Sequence, residues 1–184
     1  ALVDERRRPV AGKEKFEECD CLLLSVGLIP ENDLLAGTDV ERDRVTSGAV
    51  VDERRMTSVE GIFSCGNVLH VHDLVDNVSH EAETAGKYAA LYALNRAEAA
   101  GHSYPVRGEN GVRYVLPQKL HSDSGKTELF FRVDNVYRSC RIVAESDGRT
   151  LYSGKRLVLA PGEMEKITVD TTGLNAPVTV RLEL

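Results

Sequence analysis

The sequence predicts an α+β protein whose two parts differ in hydrophobic patterning. Residues 1–103 combine short apolar runs with one long segment in which apolar residues recur every three or four positions, which is typical of an amphipathic helix. Residues 104–184 contain short runs of β-type residues separated by turn residues, the pattern of a β-sandwich. We therefore predict a mixed domain over 1–103 and an all-β, sandwich-like domain over 104–184.

Three strands and one helix are predicted in the first part. The apolar run over 19–26 is typical of a strand buried on both faces, and shorter strands are predicted at 49–51 and 61–65. The helix is predicted over 77–100. Three residues at its start are candidate N-caps: Asp76, Asn77 and Ser79. Its predicted packing face consists of apolar residues at helical spacing: Val78, Ala82, Ala85, Ala89 and Tyr92.

Six strands are predicted in the second part, because apolar and polar residues alternate there with period two. Leu129, Phe131 and Val133, for example, alternate with the residues between them. Turn signals such as Asp147-Gly148 separate the runs. The predicted strands are 112–116, 128–134, 139–144, 156–159, 165–170 and 178–184.

Composition excludes several classes of protein. The chain of 184 residues carries 23 Lys and Arg against 29 Asp and Glu, a net charge of −6, which gives no general attraction to nucleic acid or to an anionic membrane. No apolar run is long enough to span a bilayer, and the first residues lack the apolar core of a signal peptide. Four cysteines without a regular spacing fit a reducing compartment, so we predict a cytoplasmic protein.

The most specific motif lies in residues 57–68, Thr-Ser-Val-Glu-Gly-Ile-Phe-Ser-Cys-Gly-Asn-Val. An apolar strand leads directly to Gly66, where the backbone can come close to a ligand, and to Asn67, which can hydrogen-bond hydroxyls or phosphate oxygens. The motif resembles the second flavin-binding motif of the pyridine nucleotide–disulfide oxidoreductase superfamily, in which Asp usually stands in place of Asn67. The alternative is a turn that merely ends a strand.

Two further features carry the same resemblance. Residues 21–32 are similar to the superfamily segment that returns from the nicotinamide domain to the flavin domain, and the helix after the motif is similar to the one whose N-terminus faces the flavin pyrimidine ring. The resemblance implies a partial FAD-binding, Rossmann-like subdomain in which the amides of Val78, Ser79 and His80 face that ring. The residues that it implies for cofactor binding are Gly27, Gly66, Asn67, Val68, Val78, Ser79 and His80.

The resemblance implies an FAD-dependent NAD(P)H oxidoreductase, an NAD(FAD)-dependent dehydrogenase, that passes hydride between nicotinamide and flavin and then to an unidentified acceptor. The chain contains no Gly-x-Gly-x-x-Gly loop for a dinucleotide pyrophosphate. We therefore expect a C-terminal fragment, inactive alone and unable to retain FAD, whose partners are the missing N-terminal flavin and nicotinamide domains and an electron-transfer protein. The alternative is a non-enzymatic binding module in the β domain. In this domain Phe130, Phe131 and Tyr137 are expected to pack in the core and at its edges, or to form a contact surface for the rest of the enzyme or for an electron-transfer partner.

Other reactive side chains carry no assigned role. His70 and His72 flank Val71, but no cysteine or carboxylate at metal-ligand spacing accompanies them, so no metal site is predicted. Cys19 and Cys21 share one face of the predicted strand, either as small buried residues or as a redox pair. No catalytic acid, base or nucleophile is assigned.

Overall fold

The computed structural model describes residues 2–5, 8–24, 27–96, 101–122 and 124–184. Within these ranges the chain is mostly β, with one α-helix, α1, over Val75–Ala93. Eight strands follow the helix: β1 Ser103–Glu109, β2 Val112–Leu116, β3 Lys119–His121, β4 Lys126–Val133, β5 Tyr137–Ser146, β6 Arg149–Leu159, β7 Glu165–Asp170 and β8 Val178–Glu183.

The strands form two sheets, one of five strands in the order β3-β1-β8-β5-β6 and one of three in the order β2-β4-β7. The β1–β8 pair is parallel and the other pairs are antiparallel. All six predicted strands are present, with 112–116 and 165–170 correct to the residue. The sequence does not predict β1, because its Pro105 and Gly108 resemble loop punctuation, and it does not predict the three-residue β3 either. Pro105 is tolerated on the β8 side because pairing with β8 begins one residue later, at Val106.

Both sheets contribute to one hydrophobic core. Leu129 and Phe131 of β4 meet Ile142 of β5 and Val180 of β8 there, and all four side chains are fully buried. Phe130 points to the opposite face of β4 and is also buried, because the first half of the chain covers that face. The expected packing of Phe131 in the core is therefore confirmed, and Phe130 contacts the first half of the chain.

The first half has little regular structure besides α1. The predicted strands at 49–51 and 61–65 are isolated bridges, Val51 with Thr57 and Phe63 with Met56. The prediction of a buried strand is wrong for residues 19–24, where Leu22 is 72% and Leu23 89% exposed. A strand needs a neighbour to accept its backbone hydrogen bonds, and no described strand lies beside this segment. Ser25 and Val26, which complete the predicted strand, lie outside the described residues.

Cys19 and Cys21 are both exposed, so the interpretation of these residues as small, buried strand side chains is also wrong. Cys65, which follows the bridge at Phe63, is half-buried, whereas Cys140 of β5 is buried in the core. In the described part of the chain all four thiols are free.

Helix α1 begins two residues before the predicted start, and Leu74, which precedes it, makes no side-chain capping bond. The predicted tail at 97–100 lies outside the described residues. Of the predicted packing face, Ala85 is buried and Val78, Ala89 and Tyr92 are half-buried. Ala82 is exposed, and the neighbouring Glu81 is buried instead. Among the described helices, none is long and apolar enough to cross a membrane.

The two halves are joined by a second small core and by backbone hydrogen bonds. Leu116 of β2 packs with Val51 and Leu69 of the first half, and all three are almost completely buried. The side-chain oxygen of Gln118 accepts the Val51 N–H at 3.0 Å, and the Gln118 N–H donates to the Val51 carbonyl at 3.1 Å. The β part therefore supports the loops that lead to the Gly66 motif. The division at 103/104 stays a prediction.

Phe131→Ala tests the shared core. We expect a loss of about 3–5 kcal/mol in the free energy of unfolding, because a fully buried ring leaves a cavity. Leu157→Ala is the matched control in β6, where the side chain is 84% exposed, and should change stability by about 0.5 kcal/mol or less. Urea unfolding measures both variants, and similar losses for the two would contradict a core at Phe131.

Candidate functional site

The Gly66 motif forms a tight turn that packs against the start of α1. Residues Gly66–Val68 make one 3-10 turn, and Gly66 has a φ of 74°, a conformation that favours glycine. A Cβ at this position would lie 3.4 Å from Cγ1 of Val78. The sequence motif and the beginning of the following helix are thus neighbours in space.

The structure brings some of the predicted site residues together and leaves others apart. Gly66 is buried, and the exposed Asn67 uses its side-chain oxygen to accept the His72 N–H at 3.1 Å. His80 lies farther along α1, with Nε2 3.1 Å from a carboxylate oxygen of Glu128 in β4. Gly27 is exposed, and a Cβ at this position would meet no described atom within 4 Å, so the predicted close chain crossing is not seen.

The free amides at the N-terminus of α1 lie one helical turn earlier than predicted. Because α1 begins at Val75, the N–H groups of Val78, Ser79 and His80 lie inside the helix, where the carbonyls four residues earlier accept them. The amides without such acceptors are at Val75 and Asp76 instead. Val78, Ser79 and His80 therefore do not present free amides, and the free amides at this end of the helix belong to its first turn.

A buried carboxylate holds the turn against the helix. Glu81 Oε2 accepts the Gly66 N–H at 2.6 Å and lies 3.0 Å from His72 Nε2, while Glu81 Oε1 accepts from Arg55 Nε at 3.0 Å. His70 Nε2 lies 3.6 Å from Glu81 Oε1. None of the four side chains is more than 5% exposed. We call Arg55, Gly66, His70, His72 and Glu81 the Glu81 cluster.

Electrostatics keep Glu81 ionised although it is buried. Burial alone raises the pKa of a carboxyl, but the imidazoles of His70 and His72 and the Arg55 guanidinium together hold the pKa of Glu81 well below its ordinary value. Burial lowers the pKa of His70, so its ring is neutral near pH 7. Burial and the Glu81 charge raise the pKa of the Cys65 thiol, which does not favour a reactive thiolate.

Sequence reasoning missed Glu81 and Arg55, and therefore missed this cluster. Neither residue stands at a recognisable spacing from His70 and His72. One signal was available, because Glu81 lies four residues before Ala85 and so shares its helix face. The carboxylate that is missing from the sequence around the two histidines comes from α1, and a donor atom from each of His70, His72 and Glu81 lies within 4.8 Å of the others.

A second ionic cluster joins the two halves beside a cleft. Glu53 Oε1 lies 3.1 Å from His121 Nδ1 and accepts from Ser124 Oγ at 2.7 Å, and Asp52 Oδ2 lies 3.8 Å from the same imidazole nitrogen. The hydrogen bond with Glu53 raises the pKa of His121, whereas burial and the Glu53 charge raise the pKa of Asp52. The cleft, of about 210 Å³, lies between α1 and β4, and its charged lining residues are Glu53, Arg55, His80, Lys87, Lys126 and Glu128.

Comparison with known proteins identifies the region that contains the Gly66 turn. Residues 3–89 match the family model described as pyridine nucleotide-disulphide oxidoreductase. Residues 3–89 are therefore similar to this family. The predicted resemblance is thereby confirmed, and the oxidoreductase segment includes the whole Glu81 cluster, whereas β1–β8 lie outside the matched residues.

Two curated relatives are similar to part of this chain. A ferredoxin–NADP reductase of Leuconostoc mesenteroides subsp. mesenteroides is 26% identical over 95 residues, which cover 50% of this chain and 28% of the relative. The mitochondrial dihydrolipoyl dehydrogenase of Caenorhabditis elegans is 40% identical over 76 residues, 41% of this chain and 14% of the relative. The chain thus spans less than a third of the length of these relatives. No solved structure matches it.

Glu81→Gln tests the cluster. The substitution removes the negative charge and leaves the buried Arg55 guanidinium without its counter-ion, so we expect a loss of about 3–5 kcal/mol in unfolding free energy. Glu83→Gln, on the exposed side of the same helix, is the matched control and should change stability by about 0.5 kcal/mol or less. Urea unfolding in the presence of EDTA provides the measurement, and equal stability of the two variants would refute the assigned role of Glu81.

The junction between the halves should give a pH-dependent stability. Glu53, Asp52 and Arg54 face His121, and the Glu53 hydrogen bond raises the pKa of His121 above its ordinary 6.5. The contribution of His121 to the unfolding free energy is therefore complete below about pH 6.5 and is lost as the pH rises through the raised pKa.

Glu53 titrates in the opposite direction. Burial raises the pKa of its carboxyl, but hydrogen bonds from His121 and Ser124 hold that pKa below its ordinary 4.5. The contribution of Glu53 to stability is therefore lost only as the pH falls through the lowered pKa.

His121→Gln measures this contribution. The difference in unfolding free energy between wild type and His121→Gln should be largest near pH 6 and should shrink by pH 9. His102→Gln, at an exposed imidazole, is the control and should show no such trend. A His121→Gln difference that stays constant from pH 6 to pH 9 would exclude an ionised His121 at the junction.

Proposed function

We propose that this chain is part of an FAD-dependent oxidoreductase that exchanges hydride with NAD(P)H. One observation carries the proposal. The Gly66 turn lies against the start of α1, and both belong to the segment, residues 3–89, that matches the oxidoreductase family. When bound, FAD would supply the redox chemistry, and the residues of this chain would bind and orient it.

The residues of the turn fit one end of such a ligand. Gly66 adopts a positive φ that brings the backbone close to α1, and the exposed Asn67 and Val68 lie beside it. α1 begins without a side-chain cap, and Val75 is 75% exposed, so the amides of its first turn are accessible to an acceptor. The partial positive charge of a helix N-terminus stabilises negative charge on a ligand.

In this proposal Asn67 contacts the ribityl and phosphate portion of the cofactor, and the amides of Val75 and Asp76 take the position beside the pyrimidine ring. Val78, Ser79 and His80 would then contribute side chains rather than amides. The Glu81 cluster keeps these groups in place, because Glu81 on α1 accepts the Gly66 N–H directly. The side chains of the cluster act as a positioning device and do not touch the cofactor.

The acceptor and the remaining domains belong to the intact protein. The name of one relative includes NADP, and this chain covers 28% of that relative, so we propose that further flavin-binding and nicotinamide-binding domains complete the site. An electron-transfer partner protein is proposed as the acceptor.

We propose that the β part braces the oxidoreductase segment. Leu116 belongs to the small core of the first half, and Phe130 packs edge to face against His70 and His72 at centroid distances of 6.0 Å. Because Phe130 and Phe131 are buried, they are not available as the contact surface of an independent binding module. No observation on the described residues favours that alternative.

Asn67→Ala in the complete protein expressed from its own gene tests the proposal. Wild type should be purified with bound flavin and should oxidise NADH or NADPH with ferricyanide as acceptor. Loss of the Asn67 hydrogen bonds should weaken FAD binding by about tenfold, roughly 1.4 kcal/mol. Flavin absorbance after gel filtration and FAD titration of the apoprotein measure the effect.

Asn175→Ala, at an exposed position of the β part, is the matched control and should retain FAD like the wild type. The present 184-residue chain should elute without flavin, because it lacks the glycine-rich pyrophosphate loop. A complete protein that is colourless and inactive with both nucleotides would overturn the proposed function, and equal FAD affinity in Asn67→Ala and Asn175→Ala would overturn the assigned site.

A further inference from the structure

We propose that His70, His72 and Glu81 form a binding site for one divalent transition-metal ion of the Zn²⁺ class. The site lies within this chain and involves no flavin contact, so it goes beyond the proposed function and can be tested without the rest of the oxidoreductase. Its ligand atoms are the Nε2 atoms of the two imidazoles and a carboxylate oxygen of Glu81.

His70 provides the first argument. Its side chain is 1% exposed, yet neither of its ring nitrogens has a hydrogen-bond partner within the described residues. A buried polar group without a partner is costly, and such groups in folded proteins usually have a ligand, an ion or a water molecule beside them. Nε2 of His70 is directed at the carboxylate of Glu81, from which it is separated by 3.6 Å, too far for a hydrogen bond.

The distances provide the second argument. His72 Nε2 and Glu81 Oε2 are 3.0 Å apart, and one donor atom of each of the three residues lies within 4.8 Å of the other two. Ligand atoms at 2.0–2.1 Å from a tetrahedral zinc ion are separated by roughly 3.3–3.5 Å. The observed separations are 3.0 Å from His72 Nε2 to Glu81 Oε2 and 3.6 Å from His70 Nε2 to Glu81 Oε1. A small rotation of the carboxylate would therefore bring one of its oxygens and both imidazoles around the ion.

The donor chemistry provides the third argument. Two imidazoles and one carboxylate are a ligand set that suits Zn²⁺ and neighbouring transition ions rather than Mg²⁺ or Ca²⁺. Metal-binding carboxylates are commonly oriented by further hydrogen bonds, and Glu81 receives them from Arg55 on Oε1 and from the Gly66 N–H on Oε2. A carboxylate has about four acceptor positions, so these two bonds leave room for the ion.

The packing around the ligands indicates a structural role for the ion. Phe130 and Tyr114 pack edge to face against the His70 ring at 6.0 and 6.1 Å between centroids, which restricts its rotation. His72 and Glu81 are both completely buried as side chains. A bound ion would therefore tie the loop after Gly66 to α1 and stabilise the fold.

The other cluster of potential ligands in the described chain serves as the comparison. Asp52, Glu53 and His121 also bring donor atoms within 4.8 Å of one another. There, however, His121 Nδ1 and both oxygens of Glu53 already take part in hydrogen bonds, and none of the buried side-chain atoms without a partner in the described chain belongs to that cluster. We assign the ion to the Glu81 cluster alone.

Zn²⁺ titration of the EDTA-treated 184-residue chain tests the proposal by calorimetry, with long-range ¹H–¹⁵N NMR of the imidazoles as the second measurement. We expect one Zn²⁺ per chain, a higher Tm with the metal, and Nε2 shifts at His70 and His72 but not at the exposed His102. His70→Gln and His72→Gln should each weaken binding by roughly 100-fold or more, whereas His121→Gln, in the comparison cluster, should bind like the wild type.

The NMR measurement needs no variant, so it decides the question even if His72→Gln fails to fold. Absence of saturable Zn²⁺ binding, Nε2 shifts confined to His102 or His121, or unchanged affinity in folded His70→Gln and His72→Gln would each overturn the site. None of these outcomes bears on FAD binding by the complete protein, so failure of the metal site and failure of the proposed function are distinguishable.

Discussion

The described structure of the first half depends on one buried ion pair, that between Glu81 and Arg55. Placing a carboxylate in the protein interior costs several kcal/mol unless charges and hydrogen bonds compensate it. Here a guanidinium, an imidazole and a backbone amide surround the carboxylate, and they come from three separate stretches of the chain. The pair therefore fixes the position of the Gly66 turn relative to α1 more specifically than apolar packing of small side chains would.

The β part contributes by covering this polar cluster. β4 is buried on both faces, because Phe131 belongs to the core between the sheets while Phe130 lies against the imidazoles of His70 and His72. Leu116 and Gln118 extend the same contact to the loops around Val51. An all-β unit and an oxidoreductase segment thus share a continuous interface, and the ionic contact of Glu53 with His121 lies at its edge.

The local sequence predicted secondary structure correctly where turn residues and the hydrophobic pattern indicate the same element. The alternation in β4 predicts a strand, and Asp147-Gly148 predicts a turn; the structure contains both, and both turn residues adopt positive φ. Local sequence was insufficient at residues 19–24, where an apolar run predicts burial and Leu23 is exposed. Burial of a strand depends on which neighbours lie beside it, and that information is not contained in the run itself.

The sequence by itself determined that an oxidoreductase-type glycine turn precedes a helix and that a β-rich part follows, because motif order and residue periodicity are local properties. Only the tertiary structure decided that the helix begins at Val75 and turns Glu81 inward, and that Arg55, His70 and His72 converge on it. The physical reason is that a buried charge is stable only where oppositely charged groups and hydrogen-bond donors contact it. These partners are distant along the chain, so their contacts with Glu81 cannot be predicted from sequence spacing and are determined by the folded backbone.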